Sequence, residues 1–359
     1  MKRKCLAVGI ILLFVGTCII PSTAQDVEKS QSASRGNWLY VGGSGPGNYT
    51  KIQDAINDSS NGDTVFVYDN SSPYYENVRI IKSINLIGED RNTTIIDGNG
   101  TGNVTLITTD NVIISGFTLQ HSGNYNMYGY SDSGVFLLSN RNTIVGNIIK
   151  ENSGDGISTR NSMNNTVSHN VIKNNTYTGI ELLNSTNNRF ENNTIFDTDN
   201  GIEIEFSTKN SIINNIITSC RIASINFYGN CNDNIVSHNI LKNERAKIYF
   251  DGYFSIWMYD SNNNTFIENT IVNKGINRYN MEIIQCFNNK FLNNNFLKAS
   301  LQIYFIESSD NQWDGNYWGR ARLLPKIILG KNSYTDQYPT ALNFDMHPAK
   351  KPYDILGMR

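Results

Sequence analysis

One eight-residue phrase recurs along most of this chain and constrains its fold more than any other feature. It reads x-x-φ-x-x-N-x-φ, with φ apolar, and copies start at Asn142, Asn165, Asn188, Asn210, Asn234, Asn264, Asn289 and Asn311. An earlier copy, VIISGFTL from Val112, has Phe117 in the central Asn place. Successive starts lie 22 to 30 residues apart. A period of this size marks a solenoid, in which each repeat is one unit that buries its apolar face only against its neighbours.

A second phrase precedes each Asn phrase: small residue, φ, variable residue, φ. Gly134-Val135-Phe136-Leu137, Gly156-Ile157-Ser158-Thr159, Gly179-Ile180-Glu181-Leu182 and Gly201-Ile202-Glu203-Ile204 are examples, and Ser300-Leu301-Gln302-Ile303 is the last. Alternation of this kind is strand periodicity with φ pointing inward. Stacking coil on coil at about 4.8 Å closes the backbone hydrogen bonds and brings like residues into columns. A leucine-rich repeat would need Leu on a helix-bearing arc, and a propeller blade about 40 residues. The expected fold is therefore all-β: a single-stranded right-handed parallel β-helix of about ten coils over 37–318, with repeats clearest at 112–318. Asn147, Asn170, Asn193, Asn215, Asn239, Asn269, Asn294 and Asn316 then form a column. Asn tolerates left-handed backbone at bends, and stacked amides bond along such a column, so these residues are scaffold.

The two ends read differently. Thr50-Lys51-Ile52-Gln53 has a capping-box pattern opening a short helix at 52–57, placed to plug the open end of the stack. Short strands follow at 64–67, 78–80, 84–87 and 94–96. Beyond 318 the period stops, and 319–359, with Pro325, Pro339, Pro348 and Pro352, reads as an irregular capping tail. Trp313 and Trp318 are placed to cover the final coil. Lys2, Arg3 and Lys4 precede an apolar run over 6–20, and Ser22-Thr23-Ala24 offers a small-residue cleavage site. The reading is a signal peptide over 1–24, a linker over 25–36 and a secreted or cell-surface protein with no transmembrane segment in the mature chain. Cys220, Cys231 and Cys286 then remain, an odd number that cannot form a fully paired disulfide framework. A net charge of −2 gives no footprint for nucleic acid.

The run YVGGSGPGNYTKIQDAINDSSNGDTVFVYDNSSPYYENVRIIKSINLIGEDRNTTIIDG resembles the opening of pectin-lyase-like β-helix proteins. It is most similar to the NosD-like group, which carries the carbohydrate-binding and sugar-hydrolase (CASH) type of domain. The cues are the Gly-rich start, IQDAI, GDTV, YYENV and IIDG, and the resemblance covers about 38–318. It implies the fold but no single activity, since such folds carry lyases, hydrolases, esterases, adhesins and accessory proteins. The catalytic patterns of polygalacturonases and pectate lyases are absent from the sequence. NosD-like resemblance also implies a part in maturing the copper site of nitrous oxide reductase. Copper wants clustered His, Cys or Met. His169 and His238 are placed three coils apart, roughly 14 Å, and Cys231 and Cys286 two coils apart, roughly 10 Å. That spacing does not support copper, and no metal ligand is assigned.

The variable positions of the strand phrases make an outward column: Phe136, Ser158, Glu181, Glu203, Asn226, Trp257, Glu282 and Gln302. Beside it run Leu138, Arg160, Leu183, Glu205, Tyr228, Tyr259, Ile284 and Tyr304. Glu181 and Glu203 should sit on adjacent coils roughly 5 Å apart, with Glu205 beside them. Close carboxylates suit glycoside hydrolysis, while a calcium ion bridging them would suit an acidic-sugar lyase. The same residues also read as a solvated face with Arg160 as partner. Two insertions, at 121–132 and 243–254, fall at one corner and bracket the Glu coils. They carry Tyr128 and Tyr130, and Tyr249 and Tyr253. With Tyr228, Trp257 and Tyr259 they suit sugar stacking. The favoured function is non-catalytic binding of a polysaccharide or glycoconjugate, or a surface or adhesion scaffold. The alternative is a polysaccharide lyase or glycoside hydrolase using Glu181, Glu203, Glu205 and Glu282. A third is NosD-like accessory work in copper-site maturation.

Overall fold

A computed structural model describes residues 36–124, 132–243, 254–273, 279–298 and 301–355. Among them the chain winds into a parallel β-solenoid of about 12 turns with one α-helix. The count exceeds ten because coiling begins before the clear repeats: Trp38–Val41 pairs in parallel with Thr64–Val67, and that strand with Asn85–Gly88.

A typical coil contributes three strands, such as Thr178–Leu183, Arg189–Glu191 and Thr194–Phe196. Each pairs with its equivalent above and below, giving three parallel ladders down the stack. Inward positions therefore align, as in Ile157–Ile180–Ile202–Ile225, Val167–Phe190–Ile212–Val236 and Ile172–Ile195–Ile217–Leu241. All of these side chains are buried. Glycine at the opening of the strand phrase on these coils has a steric cause. A Cβ on Gly179 would lie 2.6 Å from the carbonyl oxygen of Gly201 on the next coil.

Corners combine two devices. The residue before each column asparagine has positive φ, from +55° to +58° at His169, Asn192, Asn214, His238, Glu268 and Asn293 and +69° at Gly146 and Gly315. Left-handed backbone therefore lies one position before the asparagine expected to carry it, because this turn aims the asparagine into the coil. There its Oδ1 accepts the backbone N–H of the column asparagine on the preceding coil, at 2.8 to 3.0 Å from Asn147 to Asn316. The Asn opening each phrase builds a second such column from Asn142 to Asn311. These amides supply partners where strand pairing is interrupted, and an orphaned buried N–H would cost about 1–3 kcal/mol. A further column uses hydroxyls and thiols. Ser185 N–H donates to Ser207 Oγ, Ser261 N–H to Cys286 Sγ and Cys286 N–H to Ser308 Oγ. Among the described residues Cys220, Cys231 and Cys286 are buried thiols that form no disulfide.

At one end the helix Ile52–Asp58 buries Ile52, Ala55 and Ile56 against the first strands. The expected capping box does not form. Lys51 is the N-cap and makes no side-chain cap. Glu76, from a later coil, accepts the N–H groups of Ile52 and Gln53 at 2.8 and 3.0 Å. That tertiary carboxylate satisfies donors that the local motif would otherwise serve.

At the other end the tail expected to be irregular contains an antiparallel pair, Lys326–Lys331 and Ala341–Asp345. It continues the last coil through Phe305↔Gly330 and Trp313↔Asp345. Trp313 and Trp318 stack inside the final coils on Phe291 and Phe296, with ring centroids 4.0 and 4.7 Å apart. No described helix is long and apolar enough to cross a membrane.

Candidate functional site

The outward column runs in register as Phe136↔Ser158↔Glu181↔Glu203↔Asn226↔Trp257↔Glu282. Its last step differs from the expected one: Glu282 pairs with Tyr304, two residues beyond Gln302. The neighbouring column correspondingly ends Ile284↔Ile306, not on Tyr304. A two-residue slip leaves every side chain on its original face, so apolar alternation at 301, 303 and 305 could not exclude it.

Glu181 is tied to the preceding coil. Its Oε2 accepts the Ser158 hydroxyl at 2.5 Å and the Arg160 guanidinium at 2.8 Å. Both members of this ion pair are largely covered, with side chains 8% and 16% exposed. Arg160 also lies 5.5 Å from the centroid of the Phe136 ring, which shields it from water.

Glu203 occupies the next coil in register with Glu181. Thr178 Oγ1 and Asn200 Nδ2 donate to its Oε2 at 2.9 and 3.1 Å. Asn226 Nδ2 donates to its Oε1 at 2.7 Å. Burial raises its pKa above the ordinary glutamate range and Glu181 adds to this, while the three donors pull the other way. Glu205, two residues on along the same strand, is pushed up to about 7 by burial and then by Glu203 and Glu181; Arg160 opposes the rise. The structure thus brings Glu181, Glu203 and Glu205 together.

Glu282 is not part of that cluster. Asn226 and Trp257 intervene, placing it three coils from Glu203, or roughly 14 Å by strand spacing. Its Oε2 accepts the Trp257 indole N–H at 3.0 Å, and burial raises its pKa.

An aromatic panel adjoins the carboxylates. Tyr228 and Tyr259 stack on adjacent coils with centroids 5.5 Å apart and planes 21° apart. Trp257 lies 6.1 Å from Tyr228 and 6.2 Å from Tyr259, again nearly parallel. Phe206 packs edge-on to Tyr228. Tyr128, Tyr130, Tyr249 and Tyr253 lie outside the described residues.

Sequence reasoning missed Thr178 and Asn200 as partners of Glu203. They precede Gly179 and Gly201, outside the repeated phrase, and their paired register was the one available signal. Among the described residues no group of three or more His, Cys, Asp or Glu side chains is arranged to hold a metal ion. His238 pairs with Glu268 at 2.7 Å and His347 with Asp314 at 2.8 Å. Chemically, the face offers fixed hydrogen-bond acceptors, one carboxyl that changes protonation near neutrality, and adjoining aromatic surface.

The family model for the right-handed β-helix region matches residues 91–252. No curated protein matches the sequence. Among solved structures, the A-module of mannuronan C-5 epimerase AlgE4 from Azotobacter vinelandii is similar with a TM-score of 0.59 at 15% identity, over 78% of this chain and 83% of that one. The AlgE6 A-module from the same organism gives 0.52 at 14% identity, over 84% and 91%. Pectate lyase Pel9A gives 0.53 at 15% identity, over 80% of both chains. At these identities the likeness is one of fold.

Proposed function

We propose that this right-handed parallel β-helix belongs to the pectin-lyase-like superfamily and is an exported protein that binds polysaccharide without cleaving it. The binding face is the outer surface bearing Glu181, Glu203, Glu205, Tyr228, Trp257 and Tyr259. The observation that carries this reading is how the two stacked carboxylates are engaged. Three scaffold donors hold Glu203, and Ser158 and Arg160 hold Glu181, so both are fixed parts of the wall. The exposed ring of Tyr228 and its neighbours lie beside them. Aromatic surface next to fixed acceptors suits a pyranose, whose C–H face packs on rings while its hydroxyls donate at the edge. Fold neighbours named for mannuronan and pectate add support for a polysaccharide ligand.

One observation favours a second reading, a lyase or hydrolase: Glu205 sits near pH 7, where a general acid or base works best. One experiment separates the two. The chain from residue 25 onward is incubated with a polysaccharide panel, with and without calcium, and assayed for binding, new reducing ends and unsaturated uronates. Binding without turnover, lost in the Tyr228→Ala/Tyr259→Ala double variant, supports the binding function. Turnover abolished by Glu203→Gln or Glu205→Gln overturns it.

A further inference from the structure

Where the acidic face ends, the fold makes a pocket of opposite charge. The last two coils and the C-terminal hairpin form a cavity of about 410 Å³ whose lining includes Tyr279, Tyr304 and Trp318 together with Arg320, Arg322 and Lys326. Among the described residues no Asp or Glu lines it. No described carboxylate forms an ion pair with any of the three cations. The Arg322 Nε is buried with no hydrogen-bond partner. Lys326 Nζ lies 5.7 Å from the centroid of the Trp318 ring, and its one described hydrogen bond goes to the neighbouring Ile327 carbonyl at 2.7 Å.

Three cations gathered without a counter-charge repel one another, and partial burial increases the cost. Both effects depress the pKa of Lys326, burial first and then Arg322 and Arg320. Such a cluster gains most from an anion that replaces the missing carboxylate. Guanidinium groups match planar carboxylate and sulfate oxygens in pairs. The aromatic lining of the pocket adds a chemical preference. Tyr279 and Tyr304, 5.3 Å apart centroid to centroid, both line the pocket, and their rings favour a ligand with an apolar face as well as a charge. A free inorganic ion has none; a pyranose carrying an acidic group has both.

We propose that this pocket is a binding site for one acidic sugar unit, its carboxylate or sulfate held by Arg320, Arg322 and Lys326 and its ring packed on Tyr279 and Tyr304. Tyr304 ends the same outward column next to Glu282, but none of Glu181, Glu203, Glu205, Tyr228, Trp257 and Tyr259 lines the pocket, so the site can be tested apart from that face.

The test is calorimetric titration at low salt with trigalacturonate, a heparin-derived tetrasaccharide and neutral maltotriose, together with inorganic sulfate. Binding of an acidic oligosaccharide, but not of maltotriose, is expected, and which of the two binds identifies the anion. Arg322→Gln/Lys326→Gln should weaken that binding about tenfold or more. Arg320→Gln, at an exposed position, should weaken it less and leave the unfolding midpoint unchanged, which separates lost binding from lost folding. Equal binding of maltotriose, retention of affinity in both variants, or inorganic sulfate binding as tightly as the oligosaccharides overturns the proposal.

Discussion

Asp345 stands where the next coil's asparagine would stand. Its Oδ2 accepts the Asn316 backbone N–H at 2.9 Å, just as the Oδ1 of Asn316 accepts that of Asn294 one coil earlier at 2.9 Å. The same oxygen accepts the Asn316 side-chain amide at 3.2 Å and the Trp318 indole N–H at 2.9 Å, and Asp345 is fully buried. The hairpin thus ends the polar column with a carboxylate, which can accept on every lone pair and needs no further coil to donate to. Asp345→Ala should remove the acceptor of four donors, these three and the His347 backbone N–H at 3.1 Å, and destabilise the protein by about 3 kcal/mol or more. Asp345→Asn keeps an acceptor at that place and should cost less than about 1.5 kcal/mol. Urea unfolding of the two variants checks this; equal losses would remove the capping role.

Arg160 and Arg141 both pair with acids, but in different surroundings. Arg160–Glu181 is nearly dry, while Arg141–Asp110 has side chains 57% and 30% exposed. Removing Arg160 strands a covered carboxylate, so Arg160→Ala should cost about 3 kcal/mol, against under about 1 kcal/mol for Arg141→Ala. Matched shifts in the two denaturation midpoints would show that water reaches Glu181 freely.

Glu205 gives stability an unusual pH dependence. Its pKa rises from 4.5 unfolded to about 7 folded, so the folded state holds the extra proton between those values. The contribution of this group to unfolding free energy therefore falls as pH rises from about 4.5 to 7 and stays low above that. Glu203 and Glu282, also raised by burial, act in the same direction. Thermal unfolding of wild type and Glu205→Gln from pH 4.5 to 8 should show the variant losing less stability on the alkaline side. Parallel profiles would contradict the raised pKa.

Cys286 occupies a place in a column otherwise built largely from serine. Burial pushes its thiol pKa up to about 12. Native protein at pH 8 should leave it unmodified by an aromatic disulfide reagent, with reaction appearing only on unfolding. Cys286→Ser should change stability by less than about 1 kcal/mol, because a hydroxyl can accept the Ser261 N–H as the sulfur does. Rapid native labelling would show that this corner opens.

The coil, its strand phrase, the asparagine column and the adjacency of Glu181 and Glu203 were all legible in the amino-acid order. Those features follow from period and alternation, and a stacked repeat converts sequence spacing directly into spatial neighbours. Tertiary structure decided the rest. The pairing of Glu282 with Tyr304 turned on a slip that preserves the pleat and so leaves no trace in apolar alternation. Glu76 displaced a local capping motif because a carboxylate from another coil reached both helix N–H groups. Asp345 and the cluster of Arg320, Arg322 and Lys326 lie beyond the last repeat, where no period says which coil a residue meets. Only the folding back of the hairpin puts one under the asparagine column and the others into one pocket with Tyr279 and Tyr304.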